Sequence, residues 1–130
     1  MEAAKAFKDA DSDSKPRYGQ IAVCWAESEE AARKTAYESW PISALADPLT
    51  QELALPSHFE SASKMVSELD VESRITCGPD PTRHIEAIRK CIVAGFDHVY
   101  IHQIGKDQEG FFKFYESEIL PEFGQKGLAA

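Results

Sequence analysis

RITCGPDPTRHIEAIRKCIVAGFDHVYIHQIG, residues 74–105, is the stretch that decides the fold. It divides into a short strand over 74–77, a sharp turn, a helix, a second turn and a strand over 98–104. Gly78-Pro79-Asp80-Pro81 breaks the first strand and opens the helix. Asp80 stands where an N-cap belongs, and Pro81 suits the first helical position, whose N–H the helix leaves unpaired in any case. Ile85, Ile88 and Ile92 recur at helical spacing and define one apolar face. Gly95 fits a left-handed position just past the helix end, with Phe96 beyond it to pack back. Val99, Ile101 and Ile104 follow in a run with Tyr100 that Gly105 ends. The pattern predicts a β-α-β unit with parallel strands and a right-handed crossover.

Working upstream, residues 17–26 (RYGQIAVCWA) read as a second strong strand. Ile21 to Trp25 are apolar without alternation, which predicts a strand buried on both faces, as in a parallel sheet. Ser28 caps a helix that starts Glu29-Glu30, runs to about Trp40 and is stopped by Pro41. Glu29/Arg33 and Glu30/Lys34 stand four apart on it, the spacing of helical ion pairs. Residues 42–55 show no period and read as a long loop. Ser57-His58-Phe59-Glu60 has the capping-box pattern, and Phe59, Ala62, Val66 and Leu69 then form an apolar stripe over three turns. Residues 2–10 read as the last turns of a helix, with Ala3, Ala6, Phe7 and Ala10 on one side, followed by a polar turn to residue 16. Downstream, Asp107 caps a last helix with Phe111, Phe114, Tyr115 and Ile119 on its apolar face, and Pro121 and Gly124 mark its end. Strands alternate with helices, so the class is α/β.

A chain of 130 residues is one domain or a piece of one. The net charge of -8 would be repelled by a phosphate backbone or an anionic bilayer, which argues against nucleic-acid and membrane partners. No apolar run approaches the roughly 20 residues of a membrane span. The first fifteen residues lack the apolar core of a signal peptide, so a cytoplasmic location is expected. Cys24, Cys77 and Cys91 are odd in number and form no C-x-x-C pair, so they read as reduced, mostly buried thiols. Two strands of buried character in so short a chain need neighbours that the chain does not supply.

From about Lys15 onward the sequence resembles the C-terminal part of the luciferase-like (β/α)8 barrel oxidoreductases that use the deazaflavin coenzyme F420, close to the F420-dependent glucose-6-phosphate dehydrogenase type. The resemblance is carried by KPRYGQIAVCWAESEEAARKTAYESWP, LPSHFE, CGPDPTRHIEAIRKCIVAGFDHVYIHQIG and DQEGFFKFYESEILPEF. It implies a single partial barrel domain over residues 1–130. Residues 1–16 would end a preceding helix and linker, 17–73 would hold the seventh strand with its helix and a loop insertion, and 74–124 would form the final βαβα segment with the eighth strand. A full barrel takes about 250 residues. The family's acid/base residues and most of its cofactor contacts belong to earlier strands. The implied activity is therefore hydride transfer between a small-molecule substrate and F420, with FMN as the alternative cofactor, and this chain is expected to be incomplete alone. The alternative is a non-catalytic half-barrel that acts as an interaction or structural protein, or a truncated remnant. As a half-barrel it would form a homo-oligomer or pair with a missing N-terminal half through its open sheet edges.

Three residues are candidates for substrate binding; no catalytic, cofactor-binding or metal-binding residue is assigned. Arg74 matches, through the resemblance, an arginine that binds a substrate phosphate, a role suited to a guanidinium fork that stays charged. The lysine paired with that arginine in the family matches Thr50 here, so half of the clamp is missing. Arg74 also reads as a solvated charge at a strand end. His102 lies near the C-terminal end of its strand, the active-site face of such barrels, and would line a pocket or sit satisfied under the last loop. Trp25 ends the other strong strand at the same face and would flank a ring system or fill core. His98 and His102 share a strand face at a backbone separation of about 13 Å, too far to hold one metal ion. The GPDP turn holds two prolines that remove donors, so it reads as structure and not as an anion cradle.

Overall fold

The computed structural model describes residues 15–45 and 48–124. The expected helix over 2–10 and most of the turn after it lie outside the described residues. Three parallel strands form the sheet: β1 (Tyr18–Cys24), β2 (Thr76–Cys77) and β3 (His98–Gln103). The helices are α1 (Glu29–Ser39), α2 (Leu49–Glu52), α3 (Pro56–Ser63), α4 (Glu68–Glu72), α5 (Pro81–Val93), α6 (Gln108–Phe114) and α7 (Leu120–Phe123). A 3-10 turn, Pro41–Ala44, follows α1, and a π-helical segment, Tyr115–Ile119, joins α6 to α7.

The strand order is β2-β1-β3. The expected β2-α5-β3 unit is present and parallel, but its two strands are not neighbours, because β1 lies between them. β1 pairs with β3 from Tyr18↔His98 to Val23↔Gln103, and with β2 only at Val23↔Thr76 and Cys24↔Cys77. β2 is shorter than the expected 74–77. Arg74 and Ile75 still donate their N–H groups to the Val71 carbonyl, so they finish the turn of α4 before the chain extends.

Two apolar clusters hold the sheet from opposite faces. On one face Val23, with Ile21 and Ile101 beside it, meets Ile88 of α5 and Phe111, Tyr115 and Ile119 of the last helical stretch. On the other, Cys24 and Cys77 meet Ala32 and Ala36 of α1, together with Val71 and Ile75. This second cover reaches only the C-terminal half of the sheet. Tyr18 and Gln20 are exposed, and so are His98, Tyr100 and His102, while Val99 and Ile101 are half-buried. Neither long strand is therefore buried on both faces along its length, and β3 alternates with the two-residue period of a half-solvated strand.

Local caps follow the sequence closely around α5. The Asp80 carboxylate accepts from the Thr82 N–H at 3.0 Å, and Pro81 opens the helix. Gly95 takes a φ of 99°. Its N–H donates to the Ile92 carbonyl and the Phe96 N–H to the Cys91 carbonyl, which is the Schellman closure. Phe96 then packs against Gly19, where a β-carbon would meet the ring at 3.0 Å. Ser28 caps α1 and Asp107 caps α6 as expected.

The segment 42–72 departs from the expectations. The long loop contains the 3-10 turn and α2. The stripe over three turns is broken into α3 and α4, and Leu69 points outward at 68% exposed. Pro56 takes the first helical position of α3, which makes Leu55 the N-cap and removes Ser57 from that role. The capping box forms instead at Ser67 and Asp70, with the two side chains serving each other's backbone N–H.

α4 is tied to the rest by Glu72. Its carboxylate lies 3.0 Å from Arg33 Nε of α1 and 3.1 Å from Arg83 Nη1 of α5, and its side chain is 15% exposed. Arg83 also donates to the Cys77 carbonyl at 3.1 Å. Removing the carboxylate leaves two guanidinium groups facing each other. Glu72→Ala is therefore expected to lower stability by about 1–2 kcal/mol, discounted for partial solvent screening, and a urea titration measures it.

Candidate functional site

The C-terminal ends of β1 and β3 are joined by a side chain. Gln103 Oε1 accepts from the Trp25 N–H at 2.8 Å, and its Nε2 donates to the Trp25 carbonyl at 3.1 Å. The buried amide thus extends the β1–β3 ladder one step past the last strand residue of β1. Sequence reasoning passed over Gln103. The available signal was a polar residue on the inward parity of a strand, immediately before a glycine-bearing turn. Ile104 donates its N–H to the Val23 carbonyl at 2.9 Å and completes the junction.

This junction carries a pocket of about 410 Å³ lined by Trp25, Thr35, Glu38, Ser39, Lys106 and Asp107, with Ala26 and Gly105. The Trp25 ring lies 5.8 Å from the Phe114 ring and fills the space over Gly110. Its indole Nε1 is buried and has no hydrogen-bond partner among the described residues. Trp25 thus acts both as core, through its ring, and as a pocket wall.

His102 stands elsewhere. It pairs in register with Ala22, on the sheet face opposite to Val23 and Ile101, and meets the Trp40 ring edge-on at 5.5 Å. His98 shares that face, as expected, and stacks on Tyr18 at 4.6 Å. Arg74 is exposed and lies in a third place. It borders a groove of about 480 Å³ that runs beside Gln20, Ile21 and Ala22 and is walled by Glu86 and Lys90 of α5. The structure therefore does not bring Arg74, His102 and Trp25 together: each lines a different surface.

The buried polar centre is His84, fully enclosed on α5. Its Nε2 lies 2.8 Å from the Gly78 carbonyl and its Nδ1 2.9 Å from the Tyr115 hydroxyl. A carbonyl only accepts, so Nε2 carries the proton, and Nδ1 accepts from the tyrosine. Burial holds the imidazole below its ordinary pKa of 6.5, against the Gly78 carbonyl, which favours the protonated ring. Burial likewise pushes the Tyr115 phenol up. The ring locks the GPDP turn to the last helix, which fits the structural reading of that turn. In it Gly78 adopts a φ of 98° and donates its N–H to the Cys24 carbonyl.

The thiols are free, as expected. Burial raises Cys24 to about 11 and Cys77, which also feels Cys24 and Glu72, to about 12, so both stay protonated and poorly nucleophilic. Among the described residues no group of three or more His, Cys, Asp or Glu could hold a metal ion, and no helix is long and apolar enough to cross a membrane.

No family model matches the sequence. Curated relatives do. The F420-dependent glucose-6-phosphate dehydrogenase of Microbacterium testaceum is 36% identical over 66 residues, covering 48% of this chain and 20% of that protein. The protein of the same name from Rhodococcus erythropolis is 26% identical over 126 residues, covering 96% of this chain and 36% of that one. The chain thus spans between a fifth and about a third of the length of the relatives it matches. Among solved structures, an F420-dependent secondary alcohol dehydrogenase in complex with an F420-acetone adduct superposes with a TM-score of 0.67 at 14% identity, over 88% of this chain and 35% of that one. The sequence resemblance to F420-dependent oxidoreductases is met by these relatives, over part of their length, and the fold is shared with the structural neighbour. The three residues proposed for substrate binding are spread over separate surfaces, with Arg74 on one groove and Trp25 on another.

Proposed function

We propose that this chain forms the C-terminal segment of an F420-dependent, luciferase-like oxidoreductase acting in the cytoplasm. β1 and β3 are its seventh and eighth barrel strands, and the enzyme transfers hydride between a small-molecule substrate and the deazaflavin in preference to FMN. The observation that carries the reading is the match of 96% of the chain to a protein of that name. The parallel, adjacent pairing of β1 and β3 supports it, since consecutive barrel strands pair that way. Arg74 is assigned to an anionic substrate group, and His102 and Trp25 to pocket walls. Groups from other strands would complete the site around them. The protein's contribution to such chemistry is placement of cofactor and substrate.

A chimaera tests this. In it, the present chain replaces the matched 36% of the Rhodococcus erythropolis relative. It is expected to fold and to reduce F420 with an oxidisable substrate, while the 130-residue chain alone does neither binding nor turnover. A folded chimaera that neither binds nor reduces F420 overturns the reading.

A further inference from the structure

Backbone pairing between β1 and β3 stops at Val23↔Gln103, where the Ile104 N–H closes on the Val23 carbonyl. The side chain of Gln103 supplies the next two bonds, accepting from the Trp25 N–H at 2.8 Å and donating to the Trp25 carbonyl at 3.1 Å. A primary amide offers a donor and an acceptor side by side, as a neighbouring strand would. A carboxylate only accepts, an ammonium only donates and an alkyl group does neither. Gln103 is 8% exposed, so little water competes for these contacts. Past the link the two chain segments wall the pocket of about 410 Å³, β1 through Trp25 and Ala26 and β3 through the 105–107 turn. Each wall is held in place. Gln108 Nε2 donates to the Gly105 carbonyl at 2.8 Å, and Asp107 Oδ1 accepts from the Gly110 N–H at 2.8 Å. The Trp25 ring lies against Gly110, where a β-carbon would strike it, and 5.8 Å from the Phe114 ring.

We propose that Gln103 is a positioning residue, which fixes Trp25 against the 105–107 turn and so sets the opening that a substrate meets. The link joins two strands already bonded to each other. Strands contributed from elsewhere would pair on their outer edges and leave it intact. The inference deepens the functional proposal and rests on it for the substrate; the placement of Trp25 by Gln103 does not.

In the chimaera with the Rhodococcus erythropolis relative, Gln103→Leu is expected to raise KM for the oxidisable substrate about tenfold while kcat stays within about twofold, since a displaced wall weakens substrate and transition state alike. Gln103→Glu separates placement from bulk. Its ionised carboxylate accepts from the Trp25 N–H but repels the carbonyl; its protonated form accepts and donates, as the amide does. KM of that variant is expected to fall toward the parent value as the pH drops through the carboxyl's titration, which burial lifts above the ordinary value of about 4.3. Lys106, Asp107 and Glu38 line the same pocket and are common to both proteins, so the parent chimaera is the reference at each pH. In the 130-residue chain, Gln103→Leu is expected to speed exchange of the Trp25 amide proton at least about tenfold and to leave that of Ile104, bonded within the ladder, unchanged. Gln103→Glu carries both measurements if the leucine variant loses its helical far-UV signal. A parent chimaera without F420 activity counts against the functional reading, and the exchange rates then decide whether Gln103 places Trp25. An active chimaera whose KM is indifferent to Gln103→Leu, a Gln103→Glu KM that follows the parent at every pH, or Trp25 exchange no faster in the leucine variant than in the parent overturns the proposal.

Discussion

His84→Ala is expected to lower the unfolding free energy by about 3 kcal/mol, close to the upper range for one substitution, because it opens a cavity and strands two polar groups. The ring is fully buried, and both of its nitrogens are engaged, by the Gly78 carbonyl and the Tyr115 hydroxyl. Its neighbours, the Phe114 and Tyr115 rings at 5.1 and 5.5 Å, cannot close the space without leaving β1. Tyr115→Phe removes only one hydrogen bond and should cost about 1 kcal/mol, which separates the cavity from the polar contribution. The same ring sets an acid limit. Its folded pKa lies below the ordinary 6.5, so the unfolded chain binds the proton more readily. Stability is therefore complete above pH 6.5 and falls as the pH drops from there toward the folded value. Asp80 opposes the shift and Arg83 reinforces it. In His84→Gln this component of the slope should vanish. Urea midpoints measured across that window check both statements, and an unchanged slope in the glutamine variant would remove the assignment.

Gly105→Ala is expected to destabilise by about 2–3 kcal/mol, by overpacking at the strand-end junction. A β-carbon there would lie 2.7 Å from the Trp25 carbonyl oxygen and 2.5 Å from Gln103 Nε2. The first contact is with backbone, which cannot swing aside, and the second is with the amide that joins β1 to β3. The methyl group therefore has to push the two strand ends apart or break the Gln103 bonds. Gln103→Leu, which removes the amide while keeping bulk, should relieve the crowding and make the two substitutions non-additive. Thermal melts of the single and double variants measure the coupling; strict additivity would show that the glycine is needed for some other reason.

What the sequence disclosed depends on how far apart the interacting residues are. Asp80, Pro81 and Gly95 were readable because a cap is decided within four residues. The same locality misled at Ser57, where Pro56 took the first helical position and made Leu55 the N-cap, while the capping box belongs to the next helix, at Ser67 and Asp70. Parallel strands were legible, but their order was not, since nothing local distinguishes the β1–β3 pairing from a β2–β3 pairing. The open face of β3 was hidden for a related reason. Its hydrophobic count is that of a buried strand, and only the arrangement of its cover shows that alternate residues meet solvent. Trp25 was legible as core, and its ring packs against Phe114. The two tight polar links, His84 to Tyr115 and Gln103 to Trp25, span 31 and 78 residues and had no sequence signature.

The π-helical turn at Tyr115–Ile119 bears on how this chain tolerates change in length. Its marker is the Leu120 N–H, which donates to the Tyr115 carbonyl five residues back. Pro121 has no N–H to contribute to a regular ladder, which suits the widened turn placed just before it. In a uniform α-helix the spacing Phe111, Tyr115, Ile119 would drift about 40° around the axis at each step. The broad turn takes more residues per revolution and winds that drift back, which leaves all three buried in one cluster. Excising one outward residue, such as Glu116, would leave Phe111, Tyr115 and the former Ile119 at the i, i+4, i+7 spacing of one ordinary helical face, so the widened turn houses a surplus residue that could be removed while all three still face the sheet.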